Sequence, residues 1–374
     1  MNPPSHLRPA WIEISRTRLR ENWLRIAADK PAGVSVLNVI KANAYGHGAI
    51  EVARVALSSG ADWLGVVTLD EALALRDAGI QAPILMIGER LPEELPWCAN
   101  HRLTVATGEP DTARAWDQLG RERGTRLPLH LKVDTGMSRY GARWTAMEDL
   151  FSVAINAQGV VCDGLFTHFA QSDESDKTFA RQQLARFQEV VTLAHRCGLA
   201  PRWLHTANSG GFLDLPETHF NLVRLGILPL GVYPSTVCRR ISGIEPVMTV
   251  KARLSVVKTL ESGDAVGYGM RWKAEGPRRV GIVPLGYGDG FPRIRNAGWV
   301  LVRGQQAPIL GSVAMDAFAV DITPIADAAR WDEVVVMGAQ GSLEITAHDL
   351  ARWKGSVSYD ILTGWRSRLP RITV

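Results

Sequence analysis

The sequence predicts an α/β chain: an N-terminal (β/α)8 TIM-type barrel followed by a C-terminal mostly-β domain. Three observations lead there. Eight short apolar runs recur over the first two-thirds of the 374 residues, with segments of helical spacing between them. The runs are continuous rather than alternating, as parallel strands covered on both faces must be. Beyond about Cys238 the helical period fades, and short β-rich runs set off by Gly, Pro and Asp take over. The expected domains are residues 12–238 and 239–374, with residues 1–11 associating with the second. A doubly wound open sheet shares the same period, but no GxGxxG follows the first strand, which argues against a dinucleotide fold.

In order, the expected barrel strands are Val34–Ile40, Trp63–Thr68, Ile84–Gly88, Leu103–Ala106, Leu127–Val133, Gly164–Phe169, Trp203–Thr206 and Asn221–Ile227. Ala49–Ser59, Asp70–Ala78 and Thr178–His195 carry helical spacing between them. The second domain offers Val247–Thr259, Arg279–Pro284, Trp299–Val302, Ala307–Leu310, Ala317–Ile322 and Glu333–Met337 as strands. One short helix is expected over Thr346–Trp353, capped by Thr346.

Composition narrows function before any motif does. Hydrophobic residues make up 46% and charged residues 21%, enough for a real core and against disorder as the main state. Lys and Arg number 42 against 38 Asp and Glu, with no basic run of five or more. That argues against a nucleic-acid partner and leaves an anionic small ligand easy to hold. Cys98, Cys162, Cys197 and Cys238 form no CxxC pair and have no His at zinc spacing, so free thiols in a reducing compartment and no metal are expected. Met1–Trp11 lacks the apolar stretch of a secretory signal, and no window reaches about 18 apolar residues. A cytoplasmic protein without a membrane span is the expectation.

Lys41 closes the first strand and opens the loop Ala42-Asn43-Ala44-Tyr45-Gly46-His47-Gly48. At the C-terminal end of a barrel strand it would lie at the active-site mouth. A partly desolvated amine there has a depressed pKa and can form a Schiff base; the plainer alternative is a lysine capping a strand at the surface. Later strands end in polar groups too: Lys132 and Arg139 around the fifth, His168 on the sixth, His205, Asn208 and Ser209 after the seventh, and Arg224, Gly226 and Ile227 on the eighth. Loops after strands seven and eight commonly bind phosphate in barrels. Each segment alone reads as ordinary structure; their convergence on one barrel face favours a site. In the second domain, Gly267-Tyr268-Gly269 and Gly286-Tyr287-Gly288 set a tyrosine between glycines, so that a phenol can project and another chain can approach.

The stretch VIKANAYGHG around Lys41 resembles the pyridoxal-phosphate lysine motif of alanine racemases. The likeness covers nearly the whole chain, through KVDTGMSRYG, THFAQSDE, HTANSGG, VRLGI, GYG, VPLGYGDGFPR, GSVAMD and SYDILTGWRSRLPR, in the family's order. It implies a barrel that binds pyridoxal 5'-phosphate (PLP), a C-terminal β-domain, and a homodimer with shared active sites. The implied reaction is the interconversion of L- and D-alanine, supplying D-alanine for peptidoglycan. Lys41 is implied as the Schiff-base lysine and one catalytic base, and Tyr268 of the other subunit as the base on the opposite face. Arg224 is implied as the partner of the pyridine nitrogen, supported by His205. Arg139 is placed near the cofactor's phenolic oxygen and the substrate carboxylate. Tyr45, Ser209, Gly226, Ile227 and Tyr359 are implied as phosphate binders with Asn208 nearby, and His168 lies beside the ring. Met315 and Asp316 are implied in the substrate pocket from the second subunit. Lys132 matches a lysine that some members carry as a carbamate.

Arg224 is the most diagnostic of these. A guanidinium does not readily give up its proton, so the pyridine nitrogen opposite it should stay unprotonated. That weakens the electron sink and suppresses side reactions such as transamination. The chain departs from the family at Leu225, where Pro is frequent, at Ser312, where Arg is usual, at Ala314, and over residues 228–234. These touch pocket detail rather than reaction class. A decarboxylase of the same architecture would carry an acid where Arg224 stands. A non-catalytic PLP-carrier protein would lack the second domain and Tyr268. A racemase of another amino acid, or of a broad range, is the rival reading, separable by the relative turnover of alanine, serine, lysine and arginine.

Overall fold

The computed structural model describes residues 8–374. Residues 1–7 of the segment expected to join the second domain lie outside the described residues. Among the described residues no helix is long and apolar enough to cross a membrane.

The expected barrel is present. Its strands are Ser35–Val39, Trp63–Val66, Ile84–Met86, Thr104–Thr107, Leu127–Asp134, Val160–Phe166, Trp203–His205 and Leu222–Leu225. The first seven pair in parallel with their chain neighbours, and the eighth pairs with the first. The seam between the seventh and eighth strands has no ladder and is closed by other bonds. Leu204 N–H donates to Asn221 Oδ1 at 2.8 Å, Asn221 Nδ2 donates to the Arg202 carbonyl at 2.6 Å, and Arg224 N–H donates to the Ala207 carbonyl at 2.9 Å.

Leu37, Trp63, Leu85, Ala106, Phe166 and Leu222 form one buried cluster to which six of the strands contribute. The fifth and seventh strands contribute histidines beside it. His130 lies 5.6 Å from the Trp63 ring and 5.1 Å from His205, and Phe166 stacks on His205 at 4.6 Å. Gly164 makes room for this pair, because a Cβ there would strike the His130 ring. Outside the strands, helix Thr178–Arg196 buries Ala180, Leu184, Phe187, Val190 and Ala194, the stripe that its spacing predicts.

The described part of the other unit comprises residues 8–18, Tyr45–His47 and Glu245–Val374. Its ten-stranded sheet runs from Val256–Leu260 at one edge to Arg371–Thr373 at the other. Strand Ala10–Ile14 enters this sheet antiparallel to Met248–Arg253 and parallel to Arg371–Thr373. Residues 12–18, expected in the barrel, therefore lie in this unit. The run Val247–Thr259, expected as one strand, is two. At the buried Leu254 the chain changes partners: Leu254 N–H donates to Asp332 O and Ser255 N–H to Ile282 O. The expected helix is present at Ala347–Lys354; Thr346 and Asp349 form its capping box, and Gly355 ends it in a left-handed conformation.

Candidate active site

Lys41 follows the first barrel strand and opens an unusual turn. Ala42, Asn43, Ala44 and Tyr45 have φ values of 51°, 55°, 52° and 50°, a single turn of left-handed helix. For L-residues this conformation costs roughly 1–2 kcal/mol each, and only Asn tolerates it readily. Bonds around the turn hold it: Ala44 N–H donates to Ile40 O at 2.8 Å, Gly48 N–H to Asn43 O at 2.9 Å, and Ala49 N–H to Asn43 Oδ1 at 2.8 Å. Desolvation, and then the charge of Arg139, lower the Lys41 amine below the ordinary lysine range. More of it is thus the free amine, the form that attacks an aldehyde or takes a proton.

Arg224, on the eighth strand, is 3% exposed and has no carboxylate partner among the described residues. Nη1 donates to His205 O at 2.8 Å and His205 Nδ1 at 3.1 Å. Nη2 donates to Thr167 O at 2.7 Å, Thr206 O at 3.0 Å and His168 Nδ1 at 3.1 Å. The ends of strands six and seven thus compensate a buried cation with carbonyl dipoles. Burial pulls its pKa to about 9, which leaves it charged at neutral pH. Desolvation, followed by that cation, holds His168 and His205 well below the ordinary histidine value, so both are neutral.

Lys132, on the fifth strand, is 4% exposed and sits 5.0 Å from the Tyr140 ring and 5.4 Å from Phe166. Burial first, then Arg224 and Arg139, bring its pKa to about 8, against the opposing pull of Glu89. Lys132, Arg139, Tyr140, Thr167 and His168 line a common pocket. Arg139 itself is exposed and makes no hydrogen bond or ion pair among the described residues. Arg224, Arg139 and Lys41 all act on the Lys132 charge, so four cations gather at this end of the barrel, a field that favours an anion.

Ser209 and Gly226 also meet in this unit: Gly226 N–H donates to Ser209 Oγ at 3.3 Å. Asn208 is occupied as a cap, its Oδ1 accepting from Gly211 N–H at 2.9 Å and from Ser172 Oγ at 2.7 Å. Ile227 is buried just before a 3-10 turn over Leu228–Leu230. Tyr45 and Tyr359 come together in the other unit, ring centroids 6.1 Å apart. Gly46 beside them has a positive φ, and a Cβ there would collide with Leu362 O.

Tyr268, Met315 and Asp316 belong to that second unit as well. Tyr268 is 79% exposed, between Gly267 and Gly269 with φ of 71° and 74°. Met315 is half exposed, and Asp316 pairs with Arg368 at 2.6 Å. The GYGDG motif supports this loop: Tyr287 N–H donates to Ala314 O, Gly288 N–H donates to Met315 O, and a side chain at Gly286 would strike both carbonyls.

His130 joins this network, although nothing in its sequence neighbourhood marks it. Its Nδ1 lies 3.0 Å from His205 Nε2, and its pKa is driven to about 3 by burial and then Arg224. A single His in an apolar strand carries no signal of a partner 75 residues away.

Residues 14–234 match the family described as "Alanine racemase, N-terminal domain" and residues 247–373 match "Alanine racemase, C-terminal domain". An alanine racemase of Syntrophobacter fumaroxidans is 38% identical, covering 94% of each chain. The crystal structure of alanine racemase from D-cycloserine-producing Streptomyces lavendulae superposes with a TM-score of 0.94 at 35% identity, over 99% of this chain and 98% of that one. A histidine racemase from Leuconostoc mesenteroides subsp. sake gives 0.89 at 31% identity, over 100% and 99%. With both halves matched in sequence and the whole chain matched in fold, this protein belongs to the alanine racemase family.

Proposed function

We propose that the protein is a PLP-dependent alanine racemase acting as a homodimer whose sites draw on both copies. The wiring of Arg224 carries this reading. Carbonyls and histidine Nδ1 atoms take its Nη1 and Nη2 hydrogens, and its Nε–H has no partner among the described residues. A spare N–H on a cation that keeps its proton fits an acceptor, and an unprotonated pyridine nitrogen is one. A protonated ring nitrogen would set N–H against N–H. The donor set of Arg224 therefore fits PLP, and the family resemblance implies Lys41 at its aldehyde, Ser209, Gly226, Ile227, Tyr45 and Tyr359 at its phosphate, and Arg139 toward the substrate carboxylate.

When bound, PLP supplies delocalisation for the electron pair left as Cα loses its proton. Lys41 Nζ takes or returns the proton on one face, and its lowered pKa suits it to act as base. Tyr268 Oη of a second copy serves the other face, where its phenol O–H can donate a proton and its oxygen can take one back. Asp316 and Met315 of that copy would shape the pocket. The Lys132 amine, neutral in part near pH 8, is in the form that takes up carbon dioxide as a carbamate. Cytoplasmic supply of D-alanine for peptidoglycan is the role that goes with this reaction.

The test is a substrate panel. Purified protein given L-alanine, L-serine, L-lysine, L-arginine or L-histidine should form the D-enantiomer of alanine fastest. The likeness to a histidine racemase favours a racemase of another side chain as the second reading. Faster turnover of any other member of the panel would establish that reading instead.

A further inference from the structure

We propose that Glu71 is a positioning residue for Lys41: its carboxylate clamps the left-handed turn that Lys41 opens to the end of the second barrel strand. Oε1 accepts from Ala42 N–H at 2.6 Å. Oε2 accepts from Val67 N–H at 2.9 Å and Thr68 N–H at 3.1 Å. Three backbone donors from two strand ends thus converge on one side chain. A capping box at the start of helix Leu69–Asp77 requires only the bond to Thr68. The bond to Ala42 crosses 29 residues of sequence and lands on the first strained residue after Lys41.

Four consecutive left-handed residues persist only if their surroundings over-determine them. Asn43, Gly48 and Ala49 anchor the far side of the turn; Glu71 anchors the side next to the amine. Its charge acts in the same place. Burial and Arg139 depress the Lys41 pKa, and Glu71 opposes them, with Lys132 and His168 the other titratable neighbours that sense Lys41. The role rests on Lys41 being the cofactor lysine.

The test separates this clamp from a structural cap. The full chain freed of cofactor is labelled with trace acetic anhydride across pH, and acetylation of Lys41 is read by mass spectrometry. Glu71→Gln removes the charge and should lower the Lys41 midpoint, raising its labelling at pH 7 about threefold or more. Thr68→Ala removes the helix cap but leaves the carboxylate; it should lower the melting temperature without moving Lys41. No shift in Glu71→Gln, or an equal shift in both, overturns the proposal. Glu71→Asp keeps the charge one methylene short, and exchange protection of the Ala42 amide should fall about tenfold or more. Protection retained in that variant overturns the clamp even if Glu71→Gln does not fold. Borohydride reduction of the wild-type holoenzyme should leave the pyridoxyl group on Lys41. If it lands on another lysine, the functional reading fails independently of Glu71.

Discussion

Arg224 donates from Nη1 to Nδ1 of His205 at 3.1 Å, and a guanidinium has no acceptor to offer in return. His205 is therefore neutral with its proton on Nε2. That proton points to His130 Nδ1 at 3.0 Å, which places the His130 proton on Nε2, buried without a partner. One cation sets two tautomers in series, and His168 is fixed the same way through Nη2 at 3.1 Å.

Acid should therefore destabilise the fold through these rings. All three histidines have folded pKa values below the unfolded value of about 6.5. The unfolded chain then binds protons that the native chain refuses. Stability is complete above that pH and falls as pH drops below it, for His130 down to about 3. Each histidine contributes at most about 1.4 kcal/mol per pH unit. Urea unfolding at pH 7.5 and 5.5 should show the fall, and His130→Gln should reduce its slope by about one proton. An unchanged slope would mean that His130 is protonated in the native state.

Glycine should stabilise the turn after Lys41. Ala42 is exposed with φ 51°, so little packing is lost with its methyl group. In a right-handed helix Ala→Gly costs about 1 kcal/mol. Here relief of the left-handed strain should outweigh the added entropy of the unfolded chain, a net gain of about 0.5–1 kcal/mol. Ala42→Val should lose more than that. Thermal melts of the two variants decide it, and a lower melting temperature for Ala42→Gly would show that the strain is absent.

Mixing two inactive chains tests the proposed sharing of the site between copies. On the proposed mechanism Lys41→Ala lacks one base and Tyr268→Phe the other, so neither variant alone should racemise. After subunit exchange, one of the two sites in a hybrid has both bases, and activity should return in part. Proven exchange without recovery would place both bases on one chain.

The sequence makes the barrel legible because buried parallel strands leave continuous apolar runs: Val34–Ile40 contains the observed Ser35–Val39. Ala10–Ile14 escapes, since its antiparallel partner is Met248–Arg253, on the far side of the whole barrel in sequence. The break at Leu254 escapes too, because a buried leucine at a change of partner looks like any strand residue. Of the proposed site residues, Lys41, Arg224 and Tyr268 stand out by residue type against their neighbours. Glu71 reads locally as the last member of a Thr-x-x-Glu cap; only the fold brings Ala42 to it.

The two proposed bases make the sharpest prediction. Tyr268→Phe keeps the ring and deletes its only titratable group, and at 79% exposure little folding stability should change in a single chain. Racemisation should fall at least about 10²-fold in both directions, the lower end of what general acid–base catalysis contributes. Both directions must fall together, because the enantiomers have equal free energy and no catalyst can shift their ratio. Exchange of the α-proton with solvent deuterium separates the faces. With Lys41 intact, the variant should still exchange the enantiomer whose proton faces Lys41, without inverting it. The family resemblance assigns that enantiomer as D-alanine. Exchange retained only with L-alanine would reverse the assignment of faces. A single base serving both faces would be untouched by the loss of the phenol, so near-normal racemisation by Tyr268→Phe would remove the two-base mechanism.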